Sequence, residues 1–316
     1  MESDIAIIGG GICGLSTAYI LIGQGYKVKV FATSFPPETT SNKAAAFWFP
    51  YHIKSDERCI SWSRTSYEKY LAFMADPTSG VSMHQLLKVT KKESKAAGMI
   101  WQNFLPEGSY KLIEKKELKQ GFKTGFVVNV PLVEAQLFLP WLMDNLKQNG
   151  VNFVKREIRD LKELSNQYRW VVNCSGLGSR ELCKDETLYP VRGQIATTVP
   201  HQGLPIFLYE EQPFYIVPRK DATLIGGTYE EGVWDTTPEA ETVAKLYKQA
   251  VSLYPELAEF PVNNCWAGLR PFRPEIRVER EPGKNIIHNY GHGGSGFTLA
   301  WGCAEDVLKM MGANMT

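Results

Sequence analysis

The chain has 316 residues, 44% of them hydrophobic and 22% charged, a globular composition that fills one large domain or two ordinary ones and excludes a disordered or fibrous protein. Its 35 Lys and Arg balance 34 Asp and Glu to a formal charge of +1, so no global field exists to hold nucleic acid or an anionic membrane. A small neutral or zwitterionic partner suits that balance.

Along the chain, the pattern predicts a strand over residues 4–8, a glycine turn over 9–14, a helix over 15–23 and a strand over 27–31, spaced as a βαβ crossover of about 30 residues requires. Leu15, Ala18 and Ile22 share one face of that helix. Residues 5–26 are uncharged, yet they follow the acidic Met1-Glu2-Ser3-Asp4 and contain six glycines, which argues against a signal or membrane segment. Gly312-Ala313-Asn314-Met315-Thr316 carries no S-K-L address, and the six cysteines are scattered without metal-ligand spacing. A soluble cytoplasmic chain with reduced thiols and no metal is expected, one or more disulfides being the alternative.

Residues 51–123 mix a helix around 64–74 with short strands such as 85–89. Residues 133–150 read as a helix, apolar at Val133, Leu137, Trp141 and Leu146, with a kink or break at Pro140. Strands are expected at 151–153 and 171–174, then a strand-rich antiparallel layer from 194 to 278, with strands at 214–218, 222–226 and 276–278 and a helix near 239–254. A strand at 285–288, a glycine cluster at 291–296 and a helix from about Thr298 to Met311 close the chain, so strand, glycine turn and helix recur at the far end.

Gly9-Gly10-Gly11-Ile12-Cys13-Gly14 matches G-x-G-x-x-G between a strand and a helix, the context in which glycines let the backbone approach a pyrophosphate at the helix N-terminus. The acidic residue usual about 20 positions on is missing. Ala32-Thr33-Ser34 follows the second strand instead, so a hydroxyl or backbone must serve the ribose. Thr39-Thr40-Ser41-Asn42 offers further hydroxyls ahead of Ala44-Ala45-Ala46, where small side chains admit a flat ring. A polar turn is the plainer reading of that patch.

The segments Thr39-Thr40-Ser41, Ala45-Ala46-Phe47-Trp48-Phe49-Pro50-Tyr51, Val172-Asn173-Cys174-Ser175-Gly176 and Pro190-Val191-Arg192-Gly193-Gln194 resemble FAD-binding stretches of the D-amino-acid oxidase family. Tyr215-Ile216-Val217-Pro218, Gly226-Gly227-Thr228-Tyr229, Gly268-Leu269-Arg270-Pro271-Phe272-Arg273-Pro274 and the run from His288 to Gly296 are similar to its substrate-site motifs, in family order. Tyr229, and Arg219 after Pro218, are as in microbial members; residues 58–123 match poorly.

The resemblance implies an α/β fold: a Rossmann-like FAD-binding domain from residues 1–53, 128–190 and 284–316, and a discontinuous mixed or antiparallel-sheet substrate domain from 54–127 and 191–283. It implies that FAD is held by Gly9, Gly11, Ile12, Cys13 and Gly14, by Thr33 and Ser34, by Thr39, Thr40, Ser41, Ala45, Ala46 and Phe47, by Ile158, by Ser175 and Gly176, and by Gly293, Gly294, Ser295, Gly296, Phe297 and Thr298. It assigns the substrate carboxylate to Arg270 with Tyr215 and Tyr229, the amino group to the carbonyl of Gly294, and charge on the flavin to the N–H groups of Gly296, Phe297 and Thr298.

The implied reaction is hydride transfer from a neutral D-amino acid to flavin N5, with oxygen as final acceptor and a 2-oxo acid, ammonia and hydrogen peroxide as products. Histidines 288 and 292 are read as structural. D-Aspartate oxidases place an arginine after Gly-Gly-Thr, where this chain has Tyr229, so D-aspartate and glycine or sarcosine oxidation are the alternatives. An NAD(P)-linked dehydrogenase and a non-catalytic flavoprotein are the rival classes. A homodimer is compatible with the sequence, and Tyr209-Glu210-Glu211-Gln212 implies a shorter or differently built lid than in animal members.

Overall fold

The computed structural model describes residues 4–93, 100–119, 121–201, 203–209 and 211–312; the readings on residues 1–3 and 313–316 lie outside that set. Ile5-Ala6-Ile7-Ile8 form β1 (Ile5–Ile8), buried on both faces as a strand inside a parallel sheet must be. Helix α1 (Ile12–Ile22) starts directly after Gly11, rather than at residue 15, and buries Leu15, Ala18 and Leu21; Ile22 is only half-buried. β2 (Val28–Ala32) returns parallel to β1 and completes the crossover.

Helix α2 (Glu57–Phe73) is longer than its apolar pattern suggests, because the Asp56 carboxylate accepts from the Cys59 N–H and caps it. β3 (Val81–Thr90) and β4 (Tyr110–Leu112) follow. The reading of Val133 as helical is wrong. Val133 ends β5 (Thr124–Val133), paired across β3 to Val81, and the helix α3 (Ala135–Gln148) begins after it and runs through Pro140 without a break. An apolar residue at a strand's last position cannot be told by periodicity from a helix's first.

Apart from single helical turns, the remaining elements are β6 (Asn152–Lys155), β7 (Trp170–Asn173), β8 (Tyr189–Thr198), β9 (Ile206–Tyr209), β10 (Phe214–Pro218), β11 (Thr223–Gly226), β12 (Glu230–Glu231), α4 (Ala240–Leu253), β13 (Asn264–Arg280), β14 (Ile286–His292) and α5 (Gly296–Gly312). Among the described residues the strands join one sheet, ordered β4-β5-β3-β9-β10-β11-β8-β13-β14-β7-β1-β2-β6, with β12 beside β8.

The strands from β14 to β6 are parallel, as are β3 and β9, whereas β9, β10, β11, β8, β13 and β14 pair antiparallel in turn. The strand-rich stretch from 194 onward is therefore not a separate layer. β13 joins it to the parallel strands: Asn264 to Phe272 pair with β8, and after an irregularity between Phe272 and Arg277 the strand pairs with β14. The pattern shows only 276–278 of it because the segment is rich in Arg, Glu and Pro.

Helices α1, α2, α3 and α5 pack together through apolar and aromatic contacts, with the Trp301 ring 5.4 Å from Tyr19 and 5.0 Å from Phe73. A Cβ at Gly302 would fall 2.2 Å from the Trp62 Cα, so α2 and α5 approach at backbone distance. Across the antiparallel strands, Val243, Leu246 and Ala250 of α4 cover Phe207, Phe214 and Ile225. Among the described residues no helix is long and apolar enough to cross a membrane.

Candidate active site

A cleft of about 880 Å³ opens at the carboxyl ends of β1, β2 and β7 and runs to the antiparallel strands. At its base Gly9 has φ +124°, and a Cβ there would lie 2.2 Å from the Cys174 carbonyl oxygen. A Cβ at Gly14 would lie 2.0 Å from the Gly9 oxygen, so this glycine packs the helix on the turn and does not line the cleft. Ser41 Oγ accepts from the Ile12 N–H at 3.0 Å, which places the hydroxyl patch beside the first turn of α1.

The cleft gathers Gly9, Gly11, Ile12, Cys13, Thr33, Ser34, Thr39, Thr40, Ser41, Ala45, Ala46, Phe47, Ile158, Ser175, Gly176, Gly293, Gly294, Gly296, Phe297 and Thr298. Gly14 and Ser295 stand behind it; Ser295 Oγ donates to the Tyr51 carbonyl at 2.7 Å. The Ala44–Phe47 wall is fixed from behind, the Val133 N–H donating to the Ala46 carbonyl and the Trp48 N–H to Pro131, each at 2.8 Å. Thr298 Oγ1 donates to the Phe49 carbonyl at 2.8 Å and ties the start of α5 to the same wall.

Sequence reasoning singled out Ile158 but missed Arg156, Glu157 and Arg159, which line the cleft beside Thr33 because β6 lies parallel to β2 with Ala32 opposite Lys155. No local pattern in the sequence pairs these two strands. His292, read from the sequence as structural, also lines the cleft. Burial pushes its imidazole down to about 4, so it is neutral; Nδ1 faces Cys13 Sγ at 3.4 Å, and Nε2 is buried without a partner among the described residues. His288 is braced by Glu281 at 2.8 Å.

At the far end of the cleft stands Arg270 of β13. Nη1 donates to the Thr228 carbonyl at 2.9 Å, and the guanidinium lies so close to Gly193 that a Cβ there would come within 2.3 Å of Nη2. No carboxylate lies within 4 Å of it among the described residues, whereas Arg192 is held by Glu230 and Glu239, and Arg273 by Asp185. Tyr215 of β10 is half-buried over Gly226, where a Cβ would fall 2.3 Å from the ring. Burial holds its phenol above the ordinary range against the pull of Arg270.

Tyr229 does not reach the main cleft. It lines an adjoining chamber of about 190 Å³, stacked on His52 at 5.0 Å, and Tyr51, Arg270, His292, Gly293 and Gly294 border both spaces. The segment near Tyr209 is a tight hairpin with Tyr209 opposite Phe214; Glu210 lies outside the described residues. Glu211 is anchored to the end of β3 through the Thr90 hydroxyl and the Lys91 and Lys92 N–H groups.

The cleft thus offers a glycine turn and helix N-terminus for a pyrophosphate, a small-residue wall for a flat ring, and an arginine without an acid partner at the ring end, donors that fit FAD. Residues 4–310 match the family of FAD-dependent oxidoreductases. The chain is 38% identical to a D-amino-acid oxidase of Rubrobacter xylanophilus, over 98% of this chain and 96% of that one. It is 34% identical to a D-amino-acid oxidase of Dictyostelium discoideum, over 98% and 91%. The fold is shared with glycine oxidase from Geobacillus kaustophilus, with a TM-score of 0.86 at 19% identity, covering 99% of this chain and 95% of that one. A family match over nearly the whole length, together with relatives of this similarity, establishes that the chain belongs to the D-amino-acid oxidase family of FAD-dependent oxidoreductases.

Proposed function

We propose that the protein converts neutral D-amino acids to 2-oxo acids and ammonia, with oxygen reduced to hydrogen peroxide. The carrying observation is the Arg270 guanidinium, bordering the cleft with no acid partner among the described residues. Such a fork matches a carboxylate with two charge-assisted hydrogen bonds. Tyr215, protonated and beside it, adds a donor to the same carboxylate. Bound FAD would supply the two-electron acceptor and its reoxidation by oxygen.

In this reading the glycine turn, the 39–47 wall and the start of α5 hold the cofactor. The Gly294 carbonyl receives the substrate amino group. N–H groups of Gly296, Phe297 and Thr298, in the first turn of α5, have no partner within the helix and face developing negative charge. With carboxylate and amino group both fixed, Cα is held for reaction and no protein acid or base is needed at that carbon. The amino acid loses two electrons and two protons to give an imino acid, and water then releases ammonia. The parallel strands with α1 and α5 serve the cofactor, and the antiparallel strands serve the substrate.

The side chain meets apolar walls. Leu208 is paired across from Tyr215, Ile195 is paired with Gly226 beneath its ring, and the Phe47 ring stands 6.4 Å from it. None of these compensates a second carboxylate, which would be costly to desolvate there. Peroxide release by the FAD-loaded enzyme is expected to show higher kcat/KM for D-alanine, D-methionine and D-phenylalanine than for D-aspartate or glycine, and none for the L-isomers. Preference for D-aspartate or glycine would overturn the neutral assignment.

A further inference from the structure

Tyr51 borders both the cleft and the adjoining chamber, at the junction between them. Its hydroxyl is buried and has no hydrogen-bond partner among the described residues. A buried donor left unpaired is costly, and native structures rarely keep one without use. The ring lies against Gly294, where a Cβ would come within 2.9 Å of Tyr51 Cδ1 and 3.3 Å of Arg270 Cδ, so phenol and guanidinium stem flank the same backbone. Burial, opposed by Arg270, pushes the phenol up to about 12, and it is a donor at every working pH.

The chain is held to present this side chain. Ser295 Oγ fixes the Tyr51 carbonyl at 2.7 Å, and the next residue, His52, is turned to φ +51°, a conformation that side chains other than glycine's adopt at a cost. The Tyr51 and His52 rings meet edge-on at 4.3 Å, and His52 stacks on Tyr229. Retained strain of this kind is a mark of a functional segment.

We infer that Tyr51 is a further substrate-binding residue, its hydroxyl donating to the carboxylate that Arg270 clamps. This rests on the proposed role of Arg270. A protonated phenol beside a cation is suited to an anionic oxygen and unsuited to an ammonium group. Tyr51 thereby closes the cleft side of the carboxylate site, while Tyr229, stacked on His52, faces the outer chamber.

The test uses the FAD-loaded enzyme and benzoate, a carboxylate without an amino group, titrated against the visible flavin spectrum. In Tyr51→Phe the benzoate Kd and the KM for D-alanine are expected to rise about 10-fold or more, the loss of a hydrogen bond to a charged group, with kcat within about two-fold. The unliganded spectrum and Tm are expected to match the parent's, as only an oxygen is removed. If Arg270→Ala abolishes benzoate binding while Tyr51→Phe leaves Kd and KM unchanged, this inference fails alone. If neither variant alters benzoate binding, the assignment of the carboxylate to Arg270 fails with it.

Discussion

Arg270 differs from its charged neighbours in what it lacks. Arg192 and Arg273 spend their charge on carboxylates of the same chain, and Arg219 is buried against Asp221, so removing any of these disrupts an internal pair. Arg270 donates to the Thr228 carbonyl and has no carboxylate partner among the described residues. Its removal is expected to leave the fold and the flavin spectrum intact and to strike the substrate: hydrogen bonds to a charged group contribute about 1.5–3 kcal/mol each, so Arg270→Ala should lose roughly 100-fold or more in kcat/KM for D-alanine. Steady-state peroxide assays check this, and a variant within a few-fold of the parent would remove Arg270 from the site. Lysine at 270 should recover only part of the loss, because a point charge cannot reproduce the fork.

At the scale of elements, the glycine turn depends on contacts that permit no side chain. Gly14→Ala would drive a methyl group to within 2.0 Å of the Gly9 carbonyl oxygen, and α1 would have to lift from β1. Overpacking of this kind costs about 1–3 kcal/mol. A fall in Tm, with FAD released more readily on dilution, is expected in calorimetry and fluorescence; an unchanged Tm would show that the turn can relax.

This turn was legible in the sequence because strand, glycines and helix are consecutive. The ends of α2 and α3 were less so. Asp56 as a cap and Val133 as a strand end are visible only once it is known which backbone groups are already paired. β13 was largely hidden, since its charged and proline residues obscure alternation, although Arg270 itself was found through its flanking motif. Arg156, Glu157 and Arg159 reach the cleft through the pairing of strands far apart in sequence, which composition does not encode. Tyr51 lay within a recognised stretch, but its unpaired hydroxyl is a property of the surroundings and not of the residue.

For the molecule as a whole, buried imidazoles set an acid limit. The folded chain holds His292 neutral down to about 4, and burial, reinforced by Arg277 and opposed by Glu281, also lowers His288. In the unfolded chain a histidine titrates near 6.5, so below that pH the unfolded state binds protons that the native state refuses. Stability is therefore fully present above about 6.5 and declines as pH falls toward 4. At about 1.4 kcal/mol per unit, His292 alone contributes a loss on the order of 3 kcal/mol. Urea unfolding of the apoprotein at pH 7.5 and 4.5 is expected to show a smaller drop for His292→Asn than for the parent, and equal drops would refute the linkage.

The cleft draws its walls from segments far apart in the polypeptide. β1 and α1 are made long before β14 and α5, which supply Gly293, Gly294 and the Gly296–Thr298 rim. During synthesis on the ribosome, the cleft is incomplete until α5 has emerged. Chains truncated before Gly296 are therefore expected to stay colourless in the visible spectrum after incubation with FAD and to release no peroxide.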